Sequence, residues 1–167
     1  LGDVYKRQDL VNQGRPREAE EIYRRIIAAG TCNHAVYVNL AAICGMQGRF
    51  DERMGFLGKA LELQPNCPET HNGLGNALKA QGNLDAAIAS YRKALKLGPG
   101  SPEVHNNLGN ALMEQGDLDA AIASYRKALK LRPDSPEAHN NLGNALMEQG
   151  DLDAAIASYR KALKLRP

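Results

Sequence analysis

Between Ser101 and Pro133 the apolar residues fall into two runs at helical period. In the first, Leu108, Ala111 and Leu112 recur at i, i+3 and i+4. In the second, Leu118, Ala121, Ile122, Tyr125, Ala128 and Leu129 form one continuous apolar stripe. Ser101-Pro102-Glu103 reads as a helix start: serine can cap, proline suits the first helical position, and glutamate meets the positive helix end. Gly116 breaks the first helix, and Asp117 stands ready to cap the next. Arg126, Lys127 and Lys130 load the closing turns with positive charge, and Pro133 stops the chain from continuing as helix. Valine is scarce and strand-like alternation is absent. The pattern predicts an all-α protein.

The same two-helix pattern repeats. Residues His105 to Leu131 recur unchanged as His139 to Leu165, a shift of 34 residues. His71 to Leu97 is a close copy, Asn33 to Asn66 a diverged one, and Glu18 to Ile27 keeps the second half of another. A fixed period of this length marks a solenoid or propeller built from units that cannot bury their apolar faces alone. The expected organisation is a leader over 1–8, a partial repeat over 9–33, and repeats over 34–67, 68–101, 102–135 and 136–167. Small residues keep fixed places: Gly75, Gly109 and Gly143 share one column, and Ala87, Ala121 and Ala155 share another. Glycine inside a helix costs about 1 kcal/mol against alanine, so its recurrence implies a close helix crossing. Leu108, Tyr125 and Leu131 are expected to fill the space around those crossings.

At these positions the chain resembles a tetratricopeptide repeat (TPR) array. The period and the pattern Leu108-Gly109, Leu112, Gly116, Ala121, Tyr125, Ala128, Pro133 match that family's signature. The resemblance implies a right-handed α-solenoid of antiparallel helix pairs, whose first helices line a concave groove that binds other proteins. His71, His105 and His139 stand where the family often has tryptophan. Arg53 replaces a small alanine, and Thr31 replaces a closing proline, so the first two units are expected to pack less regularly. Leu1 to Gln8 fails the repeat and resembles a translated cloning adaptor more than a missing half-helix. At the other end no polar capping helix precedes Pro167, which reads as a truncated array able to associate end to end through its last helix.

Composition adds mainly exclusions. Lys and Arg number 21 against 19 acids, a formal charge of +2 scattered along the chain, unlike the basic patch of a nucleic-acid binder. The longest mainly apolar stretch, Ala35 to Met46, is too short to span a membrane, and the amino terminus lacks a signal-peptide segment. A cytoplasmic protein without nucleic-acid or membrane partners is expected. The cysteines (Cys32, Cys44, Cys67) form no CxxC pair. The histidines are spread one per unit, about a helix layer of 8–10 Å apart, which suits packing rather than metal binding. Asp117, Asp119, Asp151 and Asp153 sit at helix starts and read as caps and dipole partners. Gly73-Leu74-Gly75 lacks the strand and third glycine of a nucleotide loop. No cofactor and no catalytic activity are expected.

One polar stripe carries a functional expectation. Glu103, Asn107, Asn110 and Glu114 recur at i, i+4, i+7 and i+11, with Asn106 beside them. The last unit repeats the stripe with Asn140, Asn141 and Asn144, the third keeps Asn72 and Asn76, and the second has Asn39 among Ala35, Ala42 and Met46. Asparagine is a mediocre helix former, so an exposed place without a task would favour other residues. An amide offers donor and acceptor together, as an extended peptide backbone does. These asparagines are therefore the candidate peptide-binding residues, and alanine at Asn107 and Asn141 is expected to leave the fold intact. Chaperone-binding members of the family clamp a terminal carboxylate with cations on this face. No cation stands in the stripe, whose amide-rich lining more nearly resembles the repeat arm of O-linked N-acetylglucosamine transferases and of bacterial TPR proteins. The reading is a protein-interaction scaffold that binds an extended peptide segment; the alternative is the substrate-recruiting arm of a larger enzyme such as a glycosyltransferase. Far-ultraviolet circular dichroism should give a helical spectrum, and substantial strand content would refute the repeat reading.

Overall fold

Helix boundaries follow the local signals. The hydroxyls of Ser101 and Ser135 accept hydrogen bonds from the backbone N–H groups of Val104 (3.3 Å) and Ala138 (3.2 Å). Asn83, Asp117 and Asp151 cap the second helices in the same way, accepting from Ala86, Ala120 and Ala154. Gly116 and Gly150 end their helices with φ of +88° and +92°. That left-handed conformation strains any residue with a Cβ, so the repeated glycine is a conformational requirement.

The computed structural model describes residues 15–165. Among the described residues it contains nine α-helices and no strand: α1 (Pro16–Ala28), α2 (His34–Met46), α3 (Phe50–Leu63), α4 (Pro68–Ala80), α5 (Leu84–Leu97), α6 (Pro102–Gln115), α7 (Leu118–Leu131), α8 (Pro136–Gln149) and α9 (Leu152–Leu165). The expected leader over 1–8, the opening of the partial repeat over 9–33, and Pro167 lie outside the described residues. The chain forms two compact units, one ending at Ala77 and one beginning at Leu78.

In the first unit α2 packs against α1 and α3. Ala19, Tyr23, Val36, Leu40, Ile43 and Cys44 form its main core, with a second cluster of Ala41, Leu57 and Ala77. Arg53, expected to disturb this unit, is accommodated by Gly45: a Cβ there would lie 2.9 Å from the Arg53 guanidinium. The guanidinium also donates to the carbonyl of Gly73 at 3.3 Å. Charged groups in this unit are extensively paired. Glu20 meets Arg24 at 2.9 Å and Arg49 at 2.7 Å, and Glu52 meets Arg49 at 2.8 Å as well as Arg24. Partial burial opposes ionisation of Glu20, but hydrogen bonds from Arg49, Arg24 and Gln47 outweigh it and hold its carboxyl below the usual range.

In the second unit each helix from α5 to α9 packs against the next in sequence. Short turns make such neighbours antiparallel. The core runs through all of them, from Ala87 and Tyr91 through Leu108, Leu112 and Tyr125 to Leu146 and Ala155. Stacking is what completes it. Ile88 and Ile122 are each 4% exposed, whereas Ile156, at the same repeat position in α9, is 47% exposed. The alanine column lies fully inside, and Tyr125, 2% exposed, packs its ring on Gly109. Leu131 departs from expectation. It is 46% exposed, because it closes α7 at the start of an inter-repeat turn where neighbouring helices cover only about half of it.

The glycine column yields a direct test. A Cβ at Gly109 would lie 2.5 Å from Tyr125 Cε1, and one at Gly143 would lie 2.6 Å from Tyr159 Cε1. Gly109→Ala gains about 1 kcal/mol of helix propensity but forces an overpacked ring, at about 1–3 kcal/mol. Urea denaturation should show a net loss of up to about 2 kcal/mol. Gly55→Ala on α3, where a Cβ meets nothing within 4 Å, should instead stabilise.

Candidate peptide-binding face

The amide face is built on α6 and α8 by the same spacing that buries their opposite side. With Leu108, Ala111 and Leu112 turned into the core, Asn106, Asn107 and Asn110 occupy the adjoining stripe; Asn140, Asn141 and Asn144 repeat it on α8. The two helices are then joined through these amides. Asn141 Nδ2 donates to Asn106 Oδ1 and Asn110 Oδ1, both at 3.1 Å, and Asn106 Nδ2 donates to Glu137 at 3.1 Å. Asn106 is consequently only 8% exposed.

Tyrosines of the second helices orient the stripe from beneath. The phenol of Tyr125 donates to Asn110 Oδ1 at 2.8 Å, and that of Tyr159 donates to Asn144 Oδ1 at 2.7 Å. Burial, reinforced by the charge of Glu114, pushes the Tyr125 phenol well above its ordinary pKa, so it stays a donor. Asn110 Oδ1 thus accepts twice, from Tyr125 and Asn141, which leaves the Asn110 NH₂ group as its outward function. Asn110 and Asn144 are thereby biased toward donation, where the residue type alone suggested donor and acceptor equally, whereas Asn141 spends its NH₂ on its neighbours.

Two pockets open along the face. One of about 300 Å³ is lined by Asn110, Asn141 and Asn144 together with Met113, Tyr125 and the Lys79–Glu114 ion pair. The other, about 290 Å³, holds Asn106 and Asn107 with Glu103, Glu137 and Arg132. Arg132 and Lys79 are cations that the stripe itself lacks. Arg132 comes from the turn after α7, outside any helical periodicity, so only the observation that each unit's turn abuts the next first helix could have found it. Tyr125 was legible as core, but its hydroxyl's reach to the amide face was not. Asn140 lines neither pocket. Asn39, Asn72 and Asn76 belong to the first unit and are half-buried. Asn39 donates to the phenol oxygen of Tyr23 at 3.2 Å and borders a pocket of about 210 Å³ with His34, Ala35, Val38, Cys67 and Glu69.

Other candidate chemistry takes structural places. His71, His105 and His139 are buried, and each Nε2 donates to the carbonyl of a proline six residues earlier, at 2.8, 3.3 and 2.9 Å. Burial pushes the Cys44 thiol up, and the Cys67 thiol donates to Glu69 at 3.0 Å. Among the described residues no group of three or more His, Cys, Asp or Glu side chains could hold a metal ion, and no helix is long and apolar enough to cross a membrane. Asp119 does more than complement a helix dipole, since it accepts from Gln149 of the following unit.

Models of the TPR repeat match residues 75–116 and 109–150, and models of the tetratricopeptide repeat match 34–67 and 136–167. No curated protein matches the sequence. Among solved structures, the chain is similar to MamA (23% identity, TM-score 0.81, 95% of this chain and 93% of that one). It is also similar to YrrB, a TPR protein with an unusual peptide-binding site (18% identity, TM-score 0.74, 98% and 84%). A third likeness is to the Cut9–Hcn1 hetero-tetramer of the APC/C (20% identity, TM-score 0.89, 96% and 32%). At these identities the likeness is one of fold.

The hydrogen bonds overturn the expectation that Asn141 is dispensable to the fold. Asn141→Ala strips Asn106 Oδ1 of a partner in a buried place, and chemical denaturation should show a loss of about 1–2 kcal/mol. Asn140→Ala, one residue away, removes no hydrogen bond among the described residues and should be neutral or stabilising by up to about 0.5 kcal/mol.

Proposed function

The chain belongs to the tetratricopeptide repeat family, and we propose that it is a non-catalytic scaffold gripping an extended segment of a partner protein along the amide face of α6 and α8. The observation that carries this reading is the orientation of the amides. Tyr125 and Asn141 occupy Asn110 Oδ1 and Tyr159 engages Asn144 Oδ1, so the NH₂ groups are left to donate. A peptide main chain offers a carbonyl at every residue, and donors held in place bind it without the entropy cost of ordering them first.

Spacing supports the same partner. Packed helices lie about 8–10 Å apart and an extended chain advances roughly 3.3 Å per residue, so amides on α6 and α8 meet carbonyls about three residues apart. The pocket with Arg132 adds a cation for an acidic side chain or carboxylate beside Asn106 and Asn107. The first unit offers a separate, mostly apolar pocket at Ala35 and Val38, suited to an apolar side chain. By repeat position, Asn39, Asn72, Asn76 and Asn140 stand as further proposed contacts. YrrB, a TPR protein of similar fold, has a peptide-binding site, which supports a peptide as the class of partner.

The test begins with peptides selected from a display library on the immobilised full chain. Calorimetry of a selected peptide against Asn107→Ala with Asn144→Ala should show affinity weakened roughly five- to a hundredfold, for two lost hydrogen bonds of about 0.5–1.5 kcal/mol each. Unchanged affinity in the folded double variant would return these asparagines to a purely structural role.

A further inference from the structure

The second unit has another groove, and it shares no residue with the amide-lined pockets. A cavity of about 550 Å³ opens between α7, α8 and α9, within the range of roughly 300–1,000 Å³ typical of ligand sites. Arg126 and Lys130 of α7 stand on one wall, and Lys161 and Lys164 of α9 on the other. All four are exposed, and none makes an ion pair or side-chain hydrogen bond with any described residue. This contrasts with the first unit, where Arg24 and Arg49 are each held by carboxylates. Lys130 and Lys164 are one repeat position 34 residues apart, whereas Arg126 and Lys161 occupy different repeat positions and are brought to the same cavity by the packing of α7 and α9.

The floor between the cations is apolar, formed by Leu129, Leu142 and Pro133. At its edge His139 is 7% exposed, its Nε2 donates to Pro133, and its Nδ1 is buried without a hydrogen-bond partner. With the proton on Nε2, Nδ1 is an unused acceptor. The groove therefore combines positive rails with an apolar floor.

We infer that this groove is a second docking site, taking an acidic peptide segment with apolar anchor residues. Carboxylates of such a segment lie against Arg126, Lys130, Lys161 and Lys164, while its apolar side chains bury on Leu129 and Leu142. Buried apolar contact provides the affinity, and the charges provide steering and register. A phosphate backbone matches the rails but gains nothing from the floor, which sets a peptide ahead of a nucleic acid. The amide face reads main chain; this groove reads side chains.

The probe is a fluorescent peptide of glutamate and leucine at amphipathic helical spacing, titrated into the full chain by anisotropy. Binding should occur, weaken as salt is raised, and survive Asn107→Ala with Asn144→Ala. Lys130→Glu with Lys161→Glu should weaken it roughly tenfold or more, whereas Lys93→Glu with Lys127→Glu, an equal charge change outside the groove, should cost less than roughly threefold. Ala157→Glu, which sets a carboxylate on the groove wall at an exposed helical position, should also weaken it. Circular dichroism of each variant establishes that it is folded. Equal losses from the two charge-reversal pairs overturn the proposal. So does equal or tighter binding of the same peptide with serine for leucine, of single-stranded DNA, or of anionic phospholipid vesicles.

Discussion

The contact between Tyr125 and Gly109 links the fold of this protein to its surface chemistry. The ring fits only because the partner helix has no Cβ at that point, where one would lie 2.5 Å away. That close approach lets the phenol pass beside α6 and reach Asn110 on the far side, at 2.8 Å. One side chain thus closes a helix pair, satisfies its own hydroxyl and fixes the orientation of a surface amide. The next unit repeats the device with Gly143, Tyr159 and Asn144. Because core and face share this residue, the stiffness of the packed interior is transmitted to the amide face.

The amide stripe serves the array before it serves any ligand. Asn141 bridges to Asn106 and Asn110, so α6 and α8 are joined by polar as well as apolar contacts. A repeat protein is held together by such nearest-neighbour interfaces, and a polar link that tolerates only one register adds specificity to apolar stacking. The exposed Ile156, beside the buried Ile88 and Ile122, shows how much of each unit's core is supplied by the unit that follows. What remains after this internal use is the NH₂ of Asn110 and of Asn144 as donors and the Oδ1 of Asn141 as an acceptor.

Charge is distributed differently in the two units. In the first unit Glu20 and Glu52 hold Arg24 and Arg49, and the resulting network is internally neutralised. In the second, Arg126, Lys130, Lys161 and Lys164 have no such partners among the described residues. A near-neutral chain can therefore carry a neutral amide surface and a cationic groove on one helical framework.

The architecture was legible in the sequence because it depends on local and periodic signals. Ser101, Gly116, Asp117 and Pro133 each act within a turn of helix, and their 34-residue recurrence specifies stacked pairs. The alanine and glycine columns likewise announced close crossings, and His105 and His139 were rightly assigned to packing. The candidate site was legible only as a list of asparagines. Which amide atoms face outward depended on Tyr125 OH and on Asn141 crossing from the neighbouring unit, contacts 15 and 31 residues apart in the chain. The exposure of Leu131, the accommodation of Arg53 by Gly45, the approach of Arg132 to Asn106 and the pairing of cation rows across a groove were likewise decided in three dimensions. Periodicity tells which side of a helix a residue occupies. Only packing brings one helix's side chain to another's, and that contact determines whether a polar group is consumed by the fold or left for a partner.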